Sequence, residues 1–160
     1  MRTDPHQRSG KIILVGKRKG AVSAARRLGW EPIEIDVKAR REQVESAYGG
    51  AAVWAVEHAL DLLGDEKPIG VAAVATGSVV AAAAIRHFGL PGISPETAMA
   101  CHDKLVMKKA IAAAGIPCAP WVEVAEDTRA EELIDQLALP LVLKLPISSG
   151  GRGVWICKTA

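Results

Sequence analysis

Three short strand-like runs, each followed by a helix-forming segment, constrain the fold of this chain more than any other feature. The runs are Lys11–Gly16, Pro32–Asp36 and Val71–Ala75. The first and third are continuous in apolar residues, which is typical of strands buried on both faces. Strands that alternate with helices favour a parallel, doubly wound sheet with right-handed crossovers. The sequence therefore predicts an α/β fold that begins with a parallel sheet.

The segments between these strands have helical composition and end at glycines. Glycine readily adopts the left-handed backbone conformation that closes a helix. A glycine pair, Gly49-Gly50, is expected to strain the second helix. The predicted helices are Ala21–Leu28, Arg41–Leu63 and Val79–Phe88, closed by Gly29, Gly64 and Gly89.

The length and charge of the chain limit the kinds of function that it can have. A chain of 160 residues is long enough for one ordinary domain, or for one domain and the opening of a second. The net charge of +2, with one Tyr and one Phe, gives neither a strong basic surface nor a stacking platform, so no nucleic acid partner is expected. The most apolar run, Val71–Ile85, is broken by Thr76-Gly77-Ser78 and is too short to cross a membrane.

The cysteines and histidines predict no metal site. Cys101, Cys118 and Cys157 are far apart and form no CxxC pair, and the four histidines lack ligand spacing. Unpaired cysteines fit a reducing compartment. The tail Met1–Gly10 is polar and lacks the apolar core of a secretory signal, so a cytoplasmic location is expected.

The middle of the chain predicts two consecutive helices rather than one. Ser94 followed by Pro95 is a strong helix start. If a single helix continued to Ala114, Asp103 would lie in its apolar stripe, where burial of a charge is costly. Asp103 is therefore predicted to cap a second helix, which begins at Lys104 and ends at Gly115. Lys104 would then stand in a first helical turn, where anions are favoured.

From Pro117 onward the pattern becomes α+β, and the domain boundary is predicted near Leu90–Ser94. A lysine at the end of a strand, followed by a turn of small residues, suits a polyphosphate, because the turn offers bare backbone N–H groups. The loop is Ser148–Gly153, and the strand before it ends near Lys144. The predicted elements are a strand at Trp121–Val124, a helix at Ala130–Leu137, a strand at Leu141–Leu145, the loop, and a strand from Val154.

A plain hairpin with a glycine-rich turn would have the same local sequence. The Walker pattern is absent, because Lys144 precedes the glycines instead of following them. The order of the motifs favours a more specific interpretation. A lysine at a helix start, a lysine on a strand and then Ser-Ser-Gly-Gly-Arg-Gly-Val on a hairpin resembles the ATP-grasp superfamily. Within that superfamily, Leu90–Pro117 is similar to biotin carboxylase, carbamoyl phosphate synthetase and the amino-acid ligases.

The resemblance implies a domain organisation and a reaction. Residues 1–10 would be a polar tail, 11–92 a Rossmann-like pre-ATP-grasp domain, and 93–160 the N-terminal part of an ATP-grasp domain. The implied activity is that of an ATP-dependent carboxylate–amine (C–N) ligase, which forms an acyl phosphate from a small carboxylate and transfers the acyl group to an amine. Mg²⁺ would assist, bound by acidic ligands that follow the glycine loop in the family, outside this chain. A C-terminal half or a homo-oligomer would then complete the site, and the chain alone is expected to be inactive.

The resemblance also implies which residues bind ATP, and it assigns no catalytic residue within the chain. Arg152 would contact phosphate or only hold the hairpin. The implied ATP-binding residues are Lys104, Lys144, Ser148, Ser149, Gly150, Gly151, Arg152 and Gly153.

Two other functions stay open. One is a non-catalytic ATP-grasp remnant or subunit that acts only with a partner chain. The other is a nicotinamide-binding Rossmann module, because Gly16–Gly20 follows the first strand and Asp36 ends the second. The glycines of that loop lack G-x-G-x-x-G spacing, so Lys17–Lys19 would equally serve as an anion-binding loop or as a solvated basic turn.

Overall fold

The computed structural model describes residues 9–37, 48–74, 77–148 and 150–159. It is a mixed α/β structure that divides into two compact units, Met1–Ala98 and Met99–Ala160. The predicted α/β class is confirmed.

The first unit contains a three-stranded parallel sheet. The strand order is β2-β1-β3, so the first strand lies in the centre: one connection leads from β1 to β2, and the next passes from β2 across β1 to β3. Ile13 of the central strand pairs with Ile33 on one side and Val71 on the other. The elements are β1 (Gly10–Val15), α1 (Lys19–Arg27), β2 (Trp30–Ile35), α2 (Tyr48–Leu63), β3 (Gly70–Ala73) and α3 (Ser78–His87).

The two faces of this sheet are covered to different extents. Ile13 and Val15 point to the face that packs against α2 and α3, and neither side chain is accessible. Ile12 and Leu14 point to the opposite face, towards α1. Each such side chain contributes about 1.5–3 kcal/mol through burial. Among the described residues, the cluster on the α2–α3 face holds ten buried residues and the cluster on the α1 face holds three.

The predicted glycine stops are present. Gly29, Gly64 and Gly89 follow the three helices with φ of 76°, 61° and 60°. These left-handed conformations end each helix as expected. The predicted start of the second helix, residues 41–47, lies outside the described residues.

The predicted break between two consecutive helices is confirmed. Helix α4 (Pro95–His102) begins after Ser94, whose Oγ accepts a hydrogen bond of 3.1 Å from the Thr97 amide. Helix α5 (Lys104–Ala113) begins after Asp103. The Asp103 carboxylate accepts hydrogen bonds from the amides of Leu105, at 2.8 Å, and Val106, at 3.2 Å. A side-chain cap of this kind satisfies amides that have no partner inside the helix.

The second unit continues with α6 (Ala130–Leu137), β4 (Leu141–Lys144) and β5 (Val154–Cys157). The last two strands pair antiparallel. The prediction of a strand at Trp121–Val124 is wrong, since this segment is irregular. Its apolar pattern suits a strand, but a strand also needs a neighbouring backbone, and the described sheet of this unit contains β4 and β5 alone. Across the described residues, no helix is long and apolar enough to span a membrane.

Candidate functional site

Lys104 joins the start of α5 to the glycine loop. Its backbone amide donates to the Pro146 carbonyl at 3.0 Å. Its Nζ donates to the carbonyl of Pro146 at 3.2 Å, the carbonyl of Ser148 at 3.0 Å and the Oγ of Ser148 at 3.1 Å. Residues 44 positions apart in sequence are thus held together by one ammonium group. The structure therefore brings two of the predicted site residues into direct contact.

Lys144 is the last residue of β4 and pairs across the hairpin with Val154. Its side chain is exposed. The next residue, Leu145, donates its amide to the Gly153 carbonyl at 2.9 Å, which closes the base of the loop. The antiparallel register therefore fixes Lys144 at the base of the loop, as the sequence predicted.

Glycines give the loop a backbone that other residues adopt with difficulty. Gly150, Gly151 and Gly153 have φ of 66°, 75° and 61°. Gly153 also packs against Leu145, and an added Cβ would lie 2.5 Å from the Leu145 Cδ1. A side chain at 153 is therefore disfavoured by the positive φ, whereas the exposed Leu145 side chain could rotate away from it.

The remaining predicted loop residues are Ser148, Ser149 and Arg152. Ser148 is half-buried, and Arg152 is exposed. Ser149 lies outside the described residues. Together the site offers an exposed ammonium, a bonded ammonium, a hydroxyl and a backbone turn of small residues. Such donors suit an anion with several oxygens.

Sequence reasoning missed one member of the site, the carbonyl of Pro146, which accepts from both nitrogens of Lys104. A backbone carbonyl leaves no signal in residue type, so no pattern could have indicated it.

Acidic metal ligands are not gathered in the described part of the chain. No three side chains of His, Cys, Asp or Glu lie together there as a metal site would require. The described residues therefore do not fit Mg²⁺ on their own.

Gly16, in the loop after β1, is explained by the local backbone structure. Gly16 has φ of 104°, and an added Cβ would overlap the Val74 carbonyl oxygen. Its amide donates to the Ile35 carbonyl at 2.8 Å, so Gly16 lies where β1 ends between its two neighbouring strands. Close packing of strand ends explains this glycine without a dinucleotide. The basic residues after it, Lys17–Lys19, are exposed.

Comparison with known proteins gives one partial likeness and no family. No protein-family model matches the chain. An uncharacterised protein of Sinorhizobium fredii, y4rH, is 35% identical over 75 residues, which are 47% of this chain. The aligned part covers 16% of that protein, so the chain matches a small share of its relative's length.

Proposed function

We propose that this chain is the ATP-binding part of an ATP-dependent carboxylate–amine ligase of the ATP-grasp type, with a Rossmann-like pre-ATP-grasp domain at residues 11–92. The observation that carries the proposal is the contact between Lys104 and the glycine loop at Ser148. The start of α5 and the glycine loop are far apart in sequence, so chain connectivity does not require them to be in contact. A phosphate site shared by both segments does require it.

The site residues have separate roles in this proposal. Lys144 projects from the base of the loop as a point charge for phosphate oxygens. Lys104 contacts the Ser148 hydroxyl, and the N–H groups of Gly150–Gly153 would complete the cradle. Arg152 supplies a further cation on the loop.

The reaction of such a ligase explains the demand for cations. A substrate carboxylate attacks the γ-phosphate of ATP and displaces ADP, and an amine then displaces phosphate from the acyl phosphate. Negative charge on the transferring phosphoryl group must be neutralised in the transition state. Lys104 and Lys144 supply part of that neutralisation, with the carboxylate, the amine and Mg²⁺ held by groups beyond the described residues.

Calorimetric titration with a non-hydrolysable ATP analogue tests the proposal. Lys144→Ala should weaken binding by about tenfold, because it removes a charge-assisted contact. Lys104→Ala should weaken binding at least as much, since it also releases the loop. The matched control is Lys158→Ala, because Lys158 follows Cys157, which pairs with Leu141 at the end of the hairpin away from the loop.

The Lys144 variant decides the outcome. Its side chain is exposed, so its removal should leave the fold intact, and unchanged thermal unfolding would confirm this. Equal affinities in Lys144→Ala, Lys158→Ala and the unsubstituted chain would contradict the proposed role of the loop. Undetectable binding of the analogue by the unsubstituted chain would contradict the proposed function itself.

A further inference from the structure

An open apolar groove lies beside α1 on the less covered face of the first unit's sheet. We call it the α1 groove, and its volume is about 540 Å³. It is lined by side chains from all three strands and from α1. Its lining includes Leu14, Arg18, Ala24, Leu28, Trp30 and Ala72.

The fold indicates what kind of element fits this groove. Parallel sheets are normally covered by helices on both faces. Among the described residues, the opposite face has two helices over its strands, whereas the groove face has α1 and a cluster of three buried residues. Ala24 presents a small side chain to the groove, so another helix backbone could approach α1 closely. A second helix beside α1 would complete the layer.

Charge around the groove indicates the chemistry of that helix. The segment from Lys17 to Arg27 contains five cations and no acidic residue. Arg18 lines the groove itself, and the ion pairs found among the described residues involve none of the five. A partner that carries carboxylates would complement this surface. The five cations are Lys17, Arg18, Lys19, Arg26 and Arg27.

Trp30 gives the groove a spectroscopic reporter. Its indole Nε1 is buried and has no hydrogen-bond partner among the described residues, although the ring lines the groove. Because this atom is inaccessible to solvent, a docked helix would not reach it directly. The ring lines the groove, however, so the indole N–H resonance reports on whether the groove is occupied.

We infer that the α1 groove is a docking site for an acidic amphipathic helix of a partner protein. The apolar face of that helix packs on Leu14, Leu28 and Ala72, and its carboxylates pair with Arg18 and the neighbouring cations of α1. This inference concerns the first unit and does not depend on the proposed nucleotide site.

A synthetic peptide tests the inference on the whole chain. The probe is a helical peptide of about 14 residues, with leucines at i, i+3, i+4 and i+7 and glutamates elsewhere. Its control has lysines in place of the glutamates. The indole N–H resonance of Trp30, assigned with Trp30→Phe, reports occupation of the groove. The acidic peptide should shift this resonance, and the basic peptide should not.

Two charge reversals then locate the contact. Arg18→Glu should weaken binding of the acidic peptide by about tenfold, since it replaces attraction with repulsion. It should not harm the fold, because an acidic side chain is favoured at a helix N-terminus. Lys67→Glu makes the same change in charge at an exposed residue that does not line the groove, and it should leave affinity nearly unchanged.

Three results would overturn the inference. No shift of the Trp30 resonance with the acidic peptide would show that such a helix does not bind. Equal shifts with both peptides would show unspecific apolar contact. A shift that depends on chain concentration without peptide would show that a second copy of this chain fills the groove.

Discussion

The two units of this molecule are each stabilised by different interactions. In the first unit, layers of helix and sheet bury side chains such as Ile13, Val15 and Ile35 completely. In the second unit, none of the described residues is fully buried, and Trp155 and Ile156 are 52% and 66% exposed. Apolar burial is the main favourable term in folding. The first unit therefore depends on its core, whereas the second depends more on caps and hydrogen bonds.

Truncation of one isoleucine in each unit should show the largest difference in stability between the units. Ile13→Ala is expected to lower the free energy of unfolding by about 2–5 kcal/mol, because it leaves a cavity in a closed core. Ile156→Ala should change it by less than about 1 kcal/mol, because the side chain is already largely in water. Urea unfolding followed by circular dichroism measures both. Similar losses in the two variants would show that the hairpin is buried in solution and would break the comparison.

Removal of a helix cap should show how the second unit is stabilised. Asp103→Ala removes the acceptor for the amides of Leu105 and Val106, and it should cost about 1 kcal/mol. Hydrogen exchange of the amides in the first turn of α5 should become faster. Asp103→Asn keeps an acceptor and serves as the matched control. Unchanged exchange in Asp103→Ala would mean that α5 is held by contacts other than its cap.

The smallest expected effect is a pH dependence at the start of α4. The pKa of Glu96 lies below its ordinary value of 4.5, because its own backbone N–H, then the Ser94 hydroxyl and the Arg86 guanidinium, stabilise the carboxylate. A carboxyl group with a lowered pKa in the folded state stabilises the fold fully above its ordinary pKa. That contribution is lost as the pH falls through the lowered pKa.

Carbon-13 NMR titration of the Glu96 carboxyl group measures this pKa. Arg86→Gln removes the ion pair of 2.8 Å and should move the pKa upward, towards its ordinary value. The other two bonds to the carboxylate remain, so the shift should be incomplete. If Arg86→Gln left the titration unchanged, the exposed ion pair would contribute nothing in solution, as many such pairs do.

Local patterns predicted much of the fold. The three parallel strands, the glycine stops and the caps at Ser94 and Asp103 depend on residues close together in sequence, and all were predicted correctly. The strand at Trp121–Val124 was wrong, because pairing depends on a neighbouring backbone that sequence pattern does not specify.

Less of the candidate site could be predicted. The position of Lys144 at the base of the loop follows from a strand and a turn that are adjacent in sequence. The contact between Lys104 and Ser148 joins distant segments, and only the resemblance to ATP-grasp proteins suggested that they meet. The orphaned indole N–H of Trp30 depends on three-dimensional packing, so no sequence pattern could have indicated it.

If Lys104 binds phosphate as proposed, its three hydrogen bonds have a consequence for the apparent affinity. A lysine ammonium has three N–H donors, and Pro146 and Ser148 occupy all three with their oxygens. An incoming anion must therefore displace at least one of these oxygens before Lys104 can bind it. The apparent affinity is then the intrinsic affinity multiplied by the fraction of molecules in which the ammonium is released. Loss of the bond to the Ser148 hydroxyl would raise that fraction, so in the proposed site this bond lowers the apparent affinity while it holds Lys104 against the loop.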